Sequence, residues 1–346
     1  MLNQAMITRT EKIRQTPVWQ QALAQSLQTV DELLDYIHLR RDQVAISRTA
    51  CEQFSLKIPR GYADRMQVGN SHDPLLRQVL PTTDEDIQVQ NYLMDPVGDQ
   101  DAIVADGVLQ KYHGRVLLLT TGACAVHCRY CFRRHFPYAE ANAARADWSS
   151  AIRYLQANTD VHEVILSGGD PLTLSDERLS HLVGKLDKLP HISTLRIHTR
   201  LPVVLPERIC DDLLSWLTHS RLHMVMVIHS NHSQEIDQGV AESLGRLKQA
   251  GITLLNQSVL LRGINDSSDE LIALSHVLFR AGVLPYYLHC LDPVSGASHF
   301  DVDTEKALEL IEEIQTRLPG YLVPRLVREV AGETAKTPVS SWKIPG

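Results

Sequence analysis

The chain has 346 residues, 44% of them hydrophobic and 22% charged, with a formal net charge of −7. That composition suits a folded protein with a sizeable core, and the acidic balance without a long basic run gives nucleic-acid or membrane binding no electrostatic support. The start, Met1-Leu2-Asn3-Gln4-Ala5-Met6, lacks the apolar stretch of a signal peptide, and no segment approaches the roughly 20 apolar residues of a membrane span.

Residues 1–109 read as a mostly helical region: Leu23, Leu27, Val30, Leu33, Leu34 and Ile37 recur at helical spacing. The stretch 59–101 is rich in Pro, Gly and Asp and predicts loops with short helices. From Arg115 onward strand and helix patterns alternate. The strands are expected at 115–120, 163–167, 194–198, 223–228, 253–259 and 285–291. Helices are expected at 149–157, 176–189, 207–218, 240–250, 267–281 and 304–317. Such alternation implies parallel strands with right-handed crossovers. Six units fall short of eight, so an α/β partial barrel is expected.

Polar residues cluster where the apolar strands end. They are the cysteine triplet, then Ser167-Gly168-Gly169-Asp170, His198-Thr199-Arg200 and His229-Ser230-Asn231-His232, with His289 to Asp292 at the sixth strand. In β/α barrels chemistry sits at the carboxyl ends of the strands. Each item alone is also readable as a helix cap or turn, above all Asp170 before Pro171.

The most specific motif is Cys124-Ala125-Val126-His127-Cys128-Arg129-Tyr130-Cys131, a C-x3-C-x2-C spacing directly after Val116-Leu117-Leu118-Leu119. Cys124, Cys128 and Cys131 can hold three irons of a [4Fe–4S] cluster and leave the fourth open, whereas electron-transfer clusters usually take four cysteines. A structural zinc site is the competing reading, with His127 or His135 completing the sphere; no second C-x-x-C is present. Cys51, Cys210 and Cys290 are scattered and read as buried apolar residues, which predicts a reducing, cytoplasmic setting.

The triplet resembles that of the radical SAM enzymes, whose open iron chelates S-adenosylmethionine. The resemblance implies a partial (β/α)6 TIM-like barrel over 110–330. It also places Ser167, Gly168, Gly169 and Asp170 at the turn that binds the methionine amino group, with Asp for the usual Glu. The glycines allow close backbone approach.

A second signal lies at 331–346. Lys336 follows a small-residue loop after the strand-like Leu326-Val327-Arg328-Glu329-Val330, and such a lysine can carry pyridoxal phosphate; alone, it would read as a solvated charge. Further matching segments are Tyr112-His113-Gly114-Arg115, Cys131-Phe132-Arg133-Arg134-His135, Leu201-Pro202-Val203-Val204, Asn256-Gln257-Ser258-Val259, Tyr286-Tyr287-Leu288-His289 and Lys336-Thr337-Pro338-Val339. Together they resemble the lysine 2,3-aminomutase family over roughly two thirds of the chain.

The resemblance implies an isomerase that turns L-lysine into β-lysine with a [4Fe–4S] cluster, S-adenosylmethionine and pyridoxal 5′-phosphate. Lys336 would hold pyridoxal phosphate, Tyr112 would pack on its ring, and Lys111 and Arg115 would sit near its phosphate. Arg133 would grip the substrate carboxylate, Asp292 and Glu329 its ammonium end, and His229 and Gln257 would line the S-adenosylmethionine site. The loop Gly332-Glu333-Thr334-Ala335, Glu329 in place of Asp, and the ten residues after Lys336 are most like the branch that makes (R)-β-lysine for elongation factor P. Its partners would be a flavodoxin or ferredoxin as electron donor and, through the pathway, elongation factor P and its β-lysine ligase. A homo-oligomer follows by analogy. Free-lysine catabolism or an arginine aminomutase is the alternative within the family. A radical SAM enzyme using Lys336 only structurally and a zinc-stabilised binding protein are the readings outside it.

Overall fold

The computed structural model describes residues 16–138 and 143–340. The first fifteen residues of the expected N-terminal region and the last six of the expected C-terminal segment lie outside the described residues.

The apolar runs expected as strands form the middle of one sheet. Its strands are β1 (Ile103–Ala105), β2 (Val108–Leu109), β3 (Arg115–Thr121), β4 (Glu163–Gly168), β5 (Thr194–Thr199), β6 (His223–His229), β7 (Thr253–Val259), β8 (Leu284–His289), β9 (Arg325–Arg328) and β10 (Thr337–Pro338). They lie side by side in chain order. Pairing is parallel from β3 to β9 and antiparallel at both margins, β1–β2–β3 and β9–β10. The sheet does not close on itself, as a partial barrel requires. The parallel set has a seventh member: the helix Thr304–Arg317, expected only to follow the sixth strand, is the crossover that delivers β9.

Helices Asp176–Leu186, Gln238–Gln249 and Ser268–Arg280 start where a side chain accepts from a free backbone N–H, respectively Ser175, Asp237 and Ser267. Their apolar faces (Leu179, Leu182, Leu244, Leu247, Leu274, Leu278) bury against Leu195, Ile197, Met226 and Leu254 of the sheet. Two expected helices differ. The spacing from Leu23 to Ile37 is split into Val18–Ala24 and Val30–Tyr36, because Thr29 and Glu32 form a capping box that begins a new helix. Leu27 instead pairs in an isolated bridge with Ile58. The helix expected from Glu207 begins at Asp211: Arg208 is drawn inward to the Leu172 carbonyl and the Asp176 carboxylate, and Cys210 is extended.

Candidate active site

The carboxyl ends of the parallel strands open into a cavity of about 600 Å³. It is lined by Cys124, Cys128 and Cys131 together with Arg133, Asp292, Glu329 and Lys336. Residues from three separate stretches of sequence, 124–133, 292 and 329–336, thus meet in one space.

The cysteine loop follows β3 and is gripped from outside the barrel. Lys57 Nζ donates to the Cys124 carbonyl (3.0 Å), and the Lys57 carbonyl accepts from the His127 amide. His127 stacks on Phe54 and bonds through Nδ1 to the Ser55 carbonyl; His135 bonds to the Ser295 carbonyl. Both histidines proposed as zinc ligands are therefore engaged elsewhere. Among the described residues no three His, Cys, Asp or Glu side chains are grouped as one metal ion would need. A cube-like cluster makes a different demand, since each thiolate binds its own iron. All three cysteines are unpaired thiols. Burial, and then the neighbouring thiols, push Cys124 up strongly; burial and Cys128 push Cys131 up to about 11.

The Gly168-Gly169 turn is needed for packing inside the protein. Gly168 has φ +118°, and a Cβ there would lie 2.6 Å from the Thr121 carbonyl oxygen; at Gly169 it would lie 2.4 Å from that of Ala123. The close approach is thus between this turn and the backbone leading into the cysteine loop. Asp170, at the expected turn, caps the short helix that begins at Pro171. Its Oδ1 accepts from the Leu172 amide (3.1 Å) and the Thr199 hydroxyl (2.7 Å), and its Oδ2 from the Arg200 (2.7 Å) and Leu201 (3.2 Å) amides. With four donors on four lone-pair sites the carboxylate is saturated. It ties β4 to β5, although burial lifts its pKa to about 6. Ser167 accepts from Arg133 Nη1 at 2.9 Å.

On the cavity's other side Arg133 Nε donates to Asp99 Oδ2 and Lys111 Nζ to Asp99 Oδ1, both at 2.7 Å. Burial opposes charge on Asp99, but Arg133 and Lys111 outweigh it and hold the acid low. Glu329 accepts from the Tyr112 hydroxyl (2.6 Å) and from Lys336 Nζ (2.7 Å). Its carboxylate, expected to face a substrate ammonium, is thus shared between two residues of the chain. The β9–β10 pairing makes this possible by folding Thr337 back against Arg328. Arg115 reaches over the Tyr112 ring, 5.7 Å from its centroid, and lies 3.9 Å from Glu163.

Asp292 is the exception. Its Oδ1 is buried and has no hydrogen-bond partner, and burial raises its pKa to about 7 against the pull of Lys336. His198, His229 and His289 also line the cavity, each with a buried Nε2 lacking a partner. Burial pushes all three down, His229 to about 4, so they are neutral. Gln257 stands on β7, between the strands of His229 and His289. A cavity with this many orphaned polar atoms is built for polar ligands.

A family model for the radical SAM superfamily matches residues 118–274. The L-lysine 2,3-aminomutase of Escherichia coli (strain K12) is 46% identical over 93% of this chain and 94% of that one. The L-lysine 2,3-aminomutase of Haemophilus influenzae is 44% identical over 94% of this chain and 96% of that one. That of Clostridium subterminale is 34% identical over 93% of this chain and 77% of its own. The chain belongs to the radical SAM lysine 2,3-aminomutase family.

A member of this family is an enzyme, an isomerase of the aminomutase kind that works with a [4Fe–4S] cluster and S-adenosylmethionine. The three unpaired cysteines at the cavity wall fit the cluster, and the orphaned histidine nitrogens fit a polar ligand beside it. Among the described residues no helix is long and apolar enough to cross a membrane. Asp99, His198, Arg200 and His289 are among the cavity residues that the sequence analysis did not assign a role. The two histidines and Arg200 end strands and carry the same strand-end signal as His229. Asp99 sits in the irregular Asp95-Pro96-Val97-Gly98-Asp99 stretch, which has no periodic pattern to mark it.

Proposed function

We propose that this enzyme moves the amino group of L-lysine from C2 to C3, giving β-lysine, the R isomer, for attachment to elongation factor P. The observation that carries the reading is the charge layout of one cavity: a guanidinium at Arg133, a lysine at Lys336, and at Asp292 a carboxylate whose buried Oδ1 has no hydrogen-bond partner. A substrate with one carboxylate and two amino groups is complementary to that layout. The branch is suggested by Glu329 and by the loop Gly332-Glu333-Thr334-Ala335 before Lys336.

When bound, the cluster with S-adenosylmethionine supplies a carbon radical by one-electron chemistry, and pyridoxal phosphate supplies a π system through which nitrogen passes between carbons. Cys124, Cys128 and Cys131 would hold the cluster. Lys336 would hold pyridoxal phosphate, with Tyr112 against its ring and Lys111 and Arg115 toward its phosphate. Gly168, Gly169, His229 and Gln257 would border S-adenosylmethionine, and Asp170 keeps that wall in shape. Arg133, aimed by Asp99 and Ser167, presents its remaining N–H groups to the α-carboxylate. Asp292 takes the ε-ammonium, which returns the charge partner that its burial removed. Glu329, which here accepts from Lys336 and Tyr112, would lie beside the same ammonium. The apolar and aromatic walls exclude water that would quench a radical.

The test is anaerobic. Iron, sulfide, pyridoxal phosphate, S-adenosylmethionine, L-lysine and a reductant standing in for flavodoxin or ferredoxin are combined, and β-lysine is resolved by chiral separation. (R)-β-lysine that disappears in Lys336→Ala supports the reading. Deoxyadenosine without β-lysine removes lysine as the substrate, and an (S) product removes the elongation factor P assignment.

A further inference from the structure

Arg200, the first residue after β5, is buried and is the hub of a polar cluster that the reading above does not use. Its Nη1 donates to Cys128 Sγ at 2.6 Å and to the Tyr130 hydroxyl at 2.7 Å. Its Nη2 donates to Gln78 Oε1 (2.7 Å), Glu235 Oε2 (3.0 Å) and the Tyr62 hydroxyl (3.2 Å). Glu235 is fully buried and is itself pinned, its Oε1 accepting from the Asn231 amide at 2.8 Å and the His232 amide at 3.1 Å. The cation is therefore fixed between a loop cysteine and a carboxylate. Among the described residues, Cys128 is the one loop cysteine whose sulfur accepts a hydrogen bond from a cationic side chain.

We infer that the Arg200–Glu235 pair sets the reduction potential of the cluster, Arg200 raising it by donating to the Cys128 sulfur and Glu235 limiting that rise. The inference rests on the cluster being held by the three cysteines. Reduction of [4Fe–4S]2+ to [4Fe–4S]1+ adds one electron from a low-potential reductant; no proton moves and no bond breaks. The added negative charge spreads onto the ligating sulfurs. A guanidinium bonded to one of them interacts more favourably with the reduced state than with the oxidised one. Low local polarity enlarges the effect, and the opposite sign of Glu235 works against it. Arg200 is a positioning and tuning residue here; it touches a ligand of the cluster and no reacting atom.

The experiment is an anaerobic potentiometric titration of the reconstituted full chain, followed by electron paramagnetic resonance, with iron and sulfide measured on each sample. Arg200→Gln is expected to lower the midpoint, making the reduced-to-oxidised ratio about tenfold smaller at the wild-type midpoint, or about 59 mV for one electron. Glu235→Gln is expected to shift it upward, and Arg200→Lys to fall between wild type and Arg200→Gln. Opposite signs at two ends of one ion pair are not produced by general loosening of the fold. Equal midpoints, or shifts of the same sign, overturn the inference while leaving the cluster in place. If Arg200→Gln does not fold, the Glu235→Gln and Arg200→Lys shifts decide the matter alone. A wild-type chain that takes up no iron and sulfide overturns the cluster reading and this inference together.

Discussion

Asp292→Asn separates a carboxylate kept for a ligand from one kept for the fold. Burial lifts the Asp292 pKa from 3.8 to about 7. Below the unfolded-state value both states hold the proton, and the residue contributes nothing. As pH rises through the unfolded value, the unfolded chain releases its proton and the native chain keeps it. Stability therefore falls with pH until the native group also ionises near neutrality. A rise of about 3 units corresponds to about 4 kcal/mol of cost above neutrality, roughly half to two thirds of it gained between pH 5 and 8. Asparagine is nearly isosteric and does not titrate. Urea unfolding of the cofactor-free chain at pH 5 and pH 8 is expected to show the wild type losing stability between the two relative to Asp292→Asn. At pH 8 the variant is expected to be the more stable protein and yet the weaker binder of lysine. Parallel pH dependence for the two chains would refute the reasoning, because Asp292 would then be solvated or paired in the folded state.

Two further perturbations address the frame around the site. Glu85 is the one carboxylate within ion-pair distance of either Arg129 or Arg134 among the described residues, at 2.6 and 2.7 Å, with all three side chains at most 2% exposed. Breaking a buried pair strands charge, so Glu85→Gln is expected to cost about 3–5 kcal/mol in urea unfolding of the cofactor-free chain; a loss below about 1 kcal/mol would count against a clamp on the cysteine loop. Gly169→Ala puts a methyl group 2.4 Å from the Ala123 carbonyl, where only backbone can move, while Gly184→Ala meets nothing within 4 Å. Reconstituted Gly169→Ala is expected to hold less iron per chain than wild type, and Gly184→Ala the same amount; equal iron in both would show that the turn does not hold the loop in place.

Much of the barrel was legible because its cause is local. Alternating apolar runs and capped amphipathic helices specify β3 to β8 and their crossovers from periodicity alone, the cysteine triplet is recognisable by residue type and spacing, and Arg133 and Lys336 stand out through the family resemblance. The N-terminal helix was misread because one capping box, Thr29 with Glu32, overrides a continuous apolar period. Side-chain partners were not legible, because they depend on segments far apart in sequence. Arg133 meets Asp99, Cys128 meets Arg200, and Arg129 meets Glu85 through contacts that no window of sequence contains.

The sequence by itself therefore determined the order of β3 to β8 and singled out the cysteine triplet, Arg133, Asp292, Glu329 and Lys336 as candidate site residues. Only the tertiary structure decided which carboxylates already have hydrogen-bond partners: Glu329 has Lys336 and Tyr112, Asp170 has four donors, and Asp292 keeps a buried Oδ1 with none. The physical reason is that a carboxylate's character is set by burial and by donors within about 3 Å, and those are supplied by strands brought together across the sheet.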